Sequence, residues 1–249
     1  MNTKAYGDSV EKPFRIKLII RRAPALAALG WLKQAWAIFM LAPQTWVLMF
    51  ITLGVIGLVS QLHPIAAVIG ILLSPFLTAG VYKCVVALQQ KQSISYTDLF
   101  TPLKDLSCRA TFIRLAGLNL LVSIPLSSLA MELVKQYQQH SVDISLVIIL
   151  AISSILAWMV FAYAVAIAYF LKEQRLLAIM QASFVACWRN TTPLALYGLL
   201  SLVLIMLTMP TFFIGLLLVA PVLNIAFFLS FNEFFALQVK TTDDAVLEV

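Results

Sequence analysis

The chain has 249 residues, of which 62% are hydrophobic and only 11% charged, with a mean hydropathy of +0.97. A soluble domain of this length needs more polar surface than such a composition supplies, so a soluble globular protein is excluded and lipid is left to cover most of the surface. The formal net charge of +6 is not gathered into a basic run interleaved with aromatics, so membrane lipids, not nucleic acid, are the expected partners.

Residues 1–29 form a basic N-terminal segment. Its first 17 residues are polar and charged, with no apolar core leading to a small-residue cleavage site, so no removable signal peptide is expected. The stretch GWLKQAWAIFMLAPQTW, residues 30–46, follows. Leu32, Ala35, Trp36, Phe39 and Pro43 recur at helical spacing, Lys33, Gln34 and Ala37 lie away from them, and Pro43 closes the pattern. This amphipathic helix is predicted to lie along the membrane surface, with Trp31, Trp36 and Trp46 as interfacial anchors.

A hydrocarbon core of about 30 Å takes roughly 20 apolar residues per helical span. Six such runs follow, near 45–62, 65–88, 111–131, 146–171, 193–210 and 212–232. They predict an all-α polytopic membrane bundle, residues 30–236, built as three hairpins with amphipathic interfacial helices. Minimal turns around Gln61, His63 and Pro64, and at Pro210, join the outer two pairs, while the polar Glu132–Ser145 loop joins the middle pair. The runs are continuously apolar, without the alternation of outer-membrane strands. Further amphipathic segments precede the third span (Ser95–Ala110) and the fifth (Glu173–Asn190).

Of the 17 lysines and arginines, 16 fall in the N-terminal segment and the surface helix after it (Lys33), in the connections after spans two and four with their flanks, or in the tail 237–249, and only Lys135 falls on the opposite side. Basic loops are retained in the cytoplasm, so both termini are expected there. Cys84, Cys108 and Cys187 then lie at or near the reducing side, and no structural disulfide is expected.

Pro64 and Pro75 are separated by the same interval as Pro210 and Pro221, and both prolines shift by 146 positions; Gln34-Ala35 and Gln181-Ala182 shift by 147. These matches point to an internal repeat of surface helix plus hairpin, residues 30–90 and 178–236, running in the same direction about an axis along the membrane normal. The GW…AW.iF…aP..W pattern, the SPFLTAGVYKC end of span two and the following S-x-x-DLF segment resemble uncharacterised six-span bacterial inner-membrane proteins, broadly similar to the membrane-domain group found beside some glycerophosphodiesterases. The resemblance covers residues 30–105 best. It implies a bacterial inner membrane and six helices, and it supplies no catalytic residue.

Chemistry is sparse. His63 and His140 have no carboxylate or thiol at ligand spacing, no nucleophile stands beside a base, and no glycine loop suits a phosphate, so no metal, cofactor or catalytic residue is expected. The candidates are polar or helix-breaking groups at membrane depth: Lys83, Asn119, Asn224 and Glu233, with Pro75 and Pro221. The asparagines suit interhelical hydrogen bonds. Lys83 and Glu233 fall at one depth, where they either pair or snorkel separately to the interface. The prolines free the carbonyls of Ile71 and Leu217, predicting kinks that face the bundle interior. Two function classes fit: a non-enzymatic component of the envelope or of a membrane complex, with a membrane-protein partner or a second copy of itself, and a binder or transporter of a lipid or small solute between repeated hairpins.

Overall fold

A computed structural model describes the backbone of residues 15–240 and 246–248 and the side chains of 20–235. Residues 1–14 of the N-terminal segment, and 241–245 and 249 of the tail, lie outside the described residues. The bundle is all-α, and among the described residues six helices are long and apolar enough to cross a membrane. In chain order the helices are α1 (Ala27–Leu41), α2 (Pro43–Leu62), α3 (Pro64–Gln89), a 3₁₀ helix (Tyr96–Lys104), α4 (Leu106–Gln138), α5 (Ile144–Phe161), α6 (Ala164–Phe170), α7 (Leu176–Arg189), α8 (Thr191–Met206) and α9 (Leu216–Phe234). α5 and α6 together make one span, Ile144–Phe170.

The boundaries have local causes. Pro43 and Pro64 open α2 and α3, where a missing N–H costs nothing. Asp105 and Asp143 cap α4 and α5 by accepting from the backbone N–H groups of Ser107 and Ser145. The Ser95–Ala110 segment is not one surface helix. Ser95 and Asp98 form a capping box that starts the 3₁₀ helix, and the Asp105 cap then begins α4. Outside the bundle, β1 (Arg15–Ile20), β2 (Phe235–Lys240) and β3 (Val246–Glu248) form a small antiparallel sheet in the order β1-β2-β3, which hydropathy did not signal.

The same plan, a short element followed by two spans, occurs three times, and the three copies interlock in a ring. Each short element packs most extensively on the second span of the preceding unit: the 3₁₀ helix on α3, α7 on α5, and α1 on α9. Each docking carries a polar clasp. The Trp31 indole N–H donates to the Glu233 carboxylate. Lys83 Nζ donates to Thr101 Oγ1 at 3.0 Å. Ser183 Oγ donates to the Met159 carbonyl at 2.8 Å and accepts the Tyr163 N–H at 3.0 Å. In that last clasp a hydroxyl is inserted into the helical ladder, because Tyr163 N–H would otherwise bond the Met159 carbonyl; this insertion separates α5 from α6. α3 and α9 also meet directly, Tyr82 stacking on Phe228 with ring centroids 4.6 Å apart. These two residues are 146 positions apart, the shift that relates the prolines.

The tryptophan assignments need revision. Trp31 and Trp46 are 3% and 0% exposed, whereas Trp36 is 50% exposed. The buried face of α1 is Ala28, Trp31, Ala35, Ile38 and Phe39, so the helix is rotated from the expected face and docks on the bundle. Of the three proposed anchors, Trp36 alone presents its ring to the surroundings. The reason is the α9 partner: Trp31 meets Phe234 edge-on at 5.5 Å as well as Glu233.

Burial is confined to one end. Thr208 excepted, none of the residues 51–74, 117–158 or 195–220 is buried, and the core lies in 28–49, 75–116, 159–194 and 221–235. Because the spans alternate in direction, all four buried stretches fall at the end that carries the termini, α1, the 3₁₀ helix and α7. At that end Tyr163 is 1% exposed, stacks on Phe227 at 4.9 Å and shares a 2.7 Å hydrogen bond with Ser230. At the other end the three hairpins offer apolar faces outward, including Leu58, Leu121, Ile155 and Phe212.

Candidate functional site

Where the packed end gives way to the open hairpins, two recesses adjoin. One, of about 390 Å³, lies between α2 and α3 and is lined by Leu53, Gly57, Ser60, Gln61, Gly70 and Ser74 among others. The second, of about 180 Å³, lies between α3, α4 and the α5–α6 break, against Pro75, Ala116, Asn119, Phe161 and Val165. Ser74 and Thr78 line both, so the two form one groove.

Local sequence explains its walls. Pro75 cannot donate to the Ile71 carbonyl, and the Ser74 hydroxyl takes that acceptor at 2.9 Å. The freed carbonyl is therefore satisfied by its own helix. Ser60 bonds the Ile56 carbonyl at 2.7 Å in the same way. Gly70 allows the close approach of α2, since a Cβ there would meet Ser60 Oγ at 2.2 Å. Both serine hydroxyls spend their proton on backbone and keep lone pairs toward the groove. The side chains of Thr78, Gln61 and Asn119 make no hydrogen bond to the described residues.

Of the candidates from the sequence, Pro75 and Asn119 line this groove and the others do not. Pro221 is buried within α9. Asn224 Oδ1 is buried with no hydrogen-bond partner among the described residues, as is Trp46 Nε1. Neither asparagine forms the interhelical hydrogen bond that its type suggested. Lys83 and Glu233 do not pair: each holds its own short element, Thr101 and Trp31 respectively. Both are exposed at the packed end, so no charged pair crosses the centre.

Sequence reading missed Ser60, Gln61, Ser74 and Thr78. A Ser-Pro dipeptide inside a span carries a usable signal, because the serine can cover the carbonyl that the proline frees. A third recess, of about 280 Å³, is lined by Leu32, Trp36, Leu204, Leu218, Val219 and Val222, all of them able to meet acyl chains.

The packed end carries the ionic groups. Lys172 Nζ lies 3.5 Å from Asp105 Oδ2 and 4.9 Å above the Tyr169 ring. Hydrogen bonds from Ser107, with Lys172 nearby, hold the Asp105 carboxyl below the usual carboxylate range. Burial pushes the Cys187 thiol up to about 12. Cys84, Cys108 and Cys187 are free and buried. Among the described residues no group of three or more His, Cys, Asp or Glu is placed to hold a metal ion. No family model matches the chain, and no curated protein and no solved structure matches it either.

Proposed function

We propose that this chain is a non-enzymatic multi-pass membrane protein that holds a lipid or similar amphiphile between its hairpins. The observation that carries the reading is the division of the bundle: one end is close-packed, and the other opens onto a groove whose walls are apolar apart from a few hydroxyls and amides. Ligand sites are of this kind, mostly apolar concavities of about 300–1,000 Å³ with a few placed polar groups. Isolated polar side chains at such depth are costly unless something satisfies them.

The concentration of lysine and arginine at the packed end supports a cytoplasmic location for both termini. With the resemblance over residues 30–105, it supports the bacterial inner membrane as the protein's place. In that orientation the groove opens toward the outer leaflet. Native mass spectrometry of the protein extracted in mild detergent tests the reading. A lipid retained in stoichiometric amount supports it; a retained polypeptide with no lipid replaces it with an accessory role in a membrane complex.

A further inference from the structure

The lining of the groove is selective in a way that its volume is not. Among the residues that form the two recesses there is no Asp, Glu, Lys, Arg or His. The α3 wall runs from Ala67 to Thr78, about 16 Å at the helical rise, so the groove reaches from near the open end to roughly mid-span. Its inner end holds Ser74, Thr78 and Asn119. A phosphate or carboxylate there would be a charge in a low-dielectric setting with no cation to offset its desolvation. An uncharged hydroxyl or ester meets no such penalty.

The hydrogen-bonding capacity points the same way. Asn119 offers two donors and one acceptor, Thr78 a hydroxyl that both donates and accepts, and neither is engaged by the described residues. Ser74 has its proton on Ile71 and retains acceptor capacity. Together they match a group that both donates and accepts, such as a free hydroxyl beside an ester carbonyl. The packed end lies between this site and the termini, so the groove is open to the leaflet opposite the termini.

Building on the lipid-holding reading, we infer that the groove is a site for an uncharged lipid of the diacylglycerol class, its hydroxyl and ester groups held by Asn119, Thr78 and Ser74. The test uses the full chain in detergent and two probes with the same chains, dioctanoylglycerol and dioctanoyl phosphatidic acid, which differ only by the phosphate. Binding is followed by tryptophan fluorescence and by native mass spectrometry. The expected result is tighter binding of the diacylglycerol by at least tenfold, with Thr78→Val and Asn119→Leu each weakening it about fivefold, the worth of one hydrogen bond. Thr78→Val conserves shape, so it reports on the site even if Asn119→Leu alters folding. Equal binding of the two probes, or diacylglycerol binding unchanged in both variants, overturns the inference while leaving a lipid-holding protein. Failure of both probes to bind, with no lipid co-purifying, overturns both.

Discussion

Gly80 lies on α3 where the 3₁₀ helix crosses it, and the crossing is closer than any side chain allows. A Cβ at this position would stand 2.1 Å from the Leu99 carbonyl oxygen and 2.8 Å from its carbon, against 3.4 Å or more for ordinary contact. Gly80→Ala therefore forces the two backbones apart by about 1.3 Å. Leu99 cannot swing aside, because the clash is with its backbone and its side chain is 0% exposed. Overpacking of this kind costs about 1–3 kcal/mol. The displacement also strains the Lys83–Thr101 clasp, worth about 1 kcal/mol. Against these, alanine gains about 1 kcal/mol over glycine in a helix interior. The net expectation is a loss of about 2 kcal/mol, roughly thirtyfold in the unfolding equilibrium. Gly117→Ala is the control, since a Cβ on that α4 glycine meets nothing within 4 Å and only the propensity gain applies. Thermal and denaturant unfolding in one detergent compares the two. If Gly80→Ala melts with or above Gly117→Ala, the close crossing does not exist and the docking of the 3₁₀ helix has been misread.

Other expectations concern the remaining clasps, the ionic groups and the topology. Ser183→Ala removes both bonds across the α5–α6 break and should lower stability by about 2 kcal/mol in denaturant unfolding; unchanged stability would mean that the Met159–Tyr163 ladder bond simply closes. In double-mutant cycles read by the same assay, Trp31→Phe with Glu233→Gln should show a coupling of about 0.5–1 kcal/mol, whereas Lys83→Met with Glu233→Gln should be additive, because those charges serve different elements. Asp105 has a lowered pKa, so its contribution is complete above pH about 4 and is lost as the pH falls through its folded value; melting profiles between pH 6 and 3 should show a shallower acid decline in Asp105→Asn. A cysteine placed at His140 should be labelled from outside intact cells, and labelling only after permeabilisation would reverse the proposed orientation.

The spans were legible because lipid imposes a length and a composition that hydropathy reads directly. All six are found within a few residues of their expected positions, apart from α4, whose 33 residues extend past the apolar run into polar turns at each end. The rotation of α1 was not legible. Its tryptophans read as headgroup anchors by residue type alone, and nothing local says that Trp31 has a carboxylate waiting 202 positions away. The same blindness affected Lys83 and Glu233. Depth along a span can be counted from the sequence, but the direction in which a side chain leaves the helix depends on which neighbour has docked there.

The division into a packed and an open end was invisible for a deeper reason. In water a helix face that meets protein differs in composition from one that meets solvent, whereas in lipid both are apolar, so hydropathy cannot separate them. The most apolar stretch of the α5–α6 span has the highest hydropathy among the six spans and the lowest share of buried residues, 6%. The prolines preserve a trace of the division. Pro75 is the first buried residue of α3 and Pro221 the first of α9, and along each helix no residue before the proline is buried while the core begins at it. A proline removes one ladder bond and lets the two halves of a helix take different directions. That freedom is what a span needs if one half must converge on the ring of docked short elements while the other half diverges toward lipid. The 146-residue repeat in proline spacing thus marks, in two units, the level at which the open hairpins give way to the closed bundle.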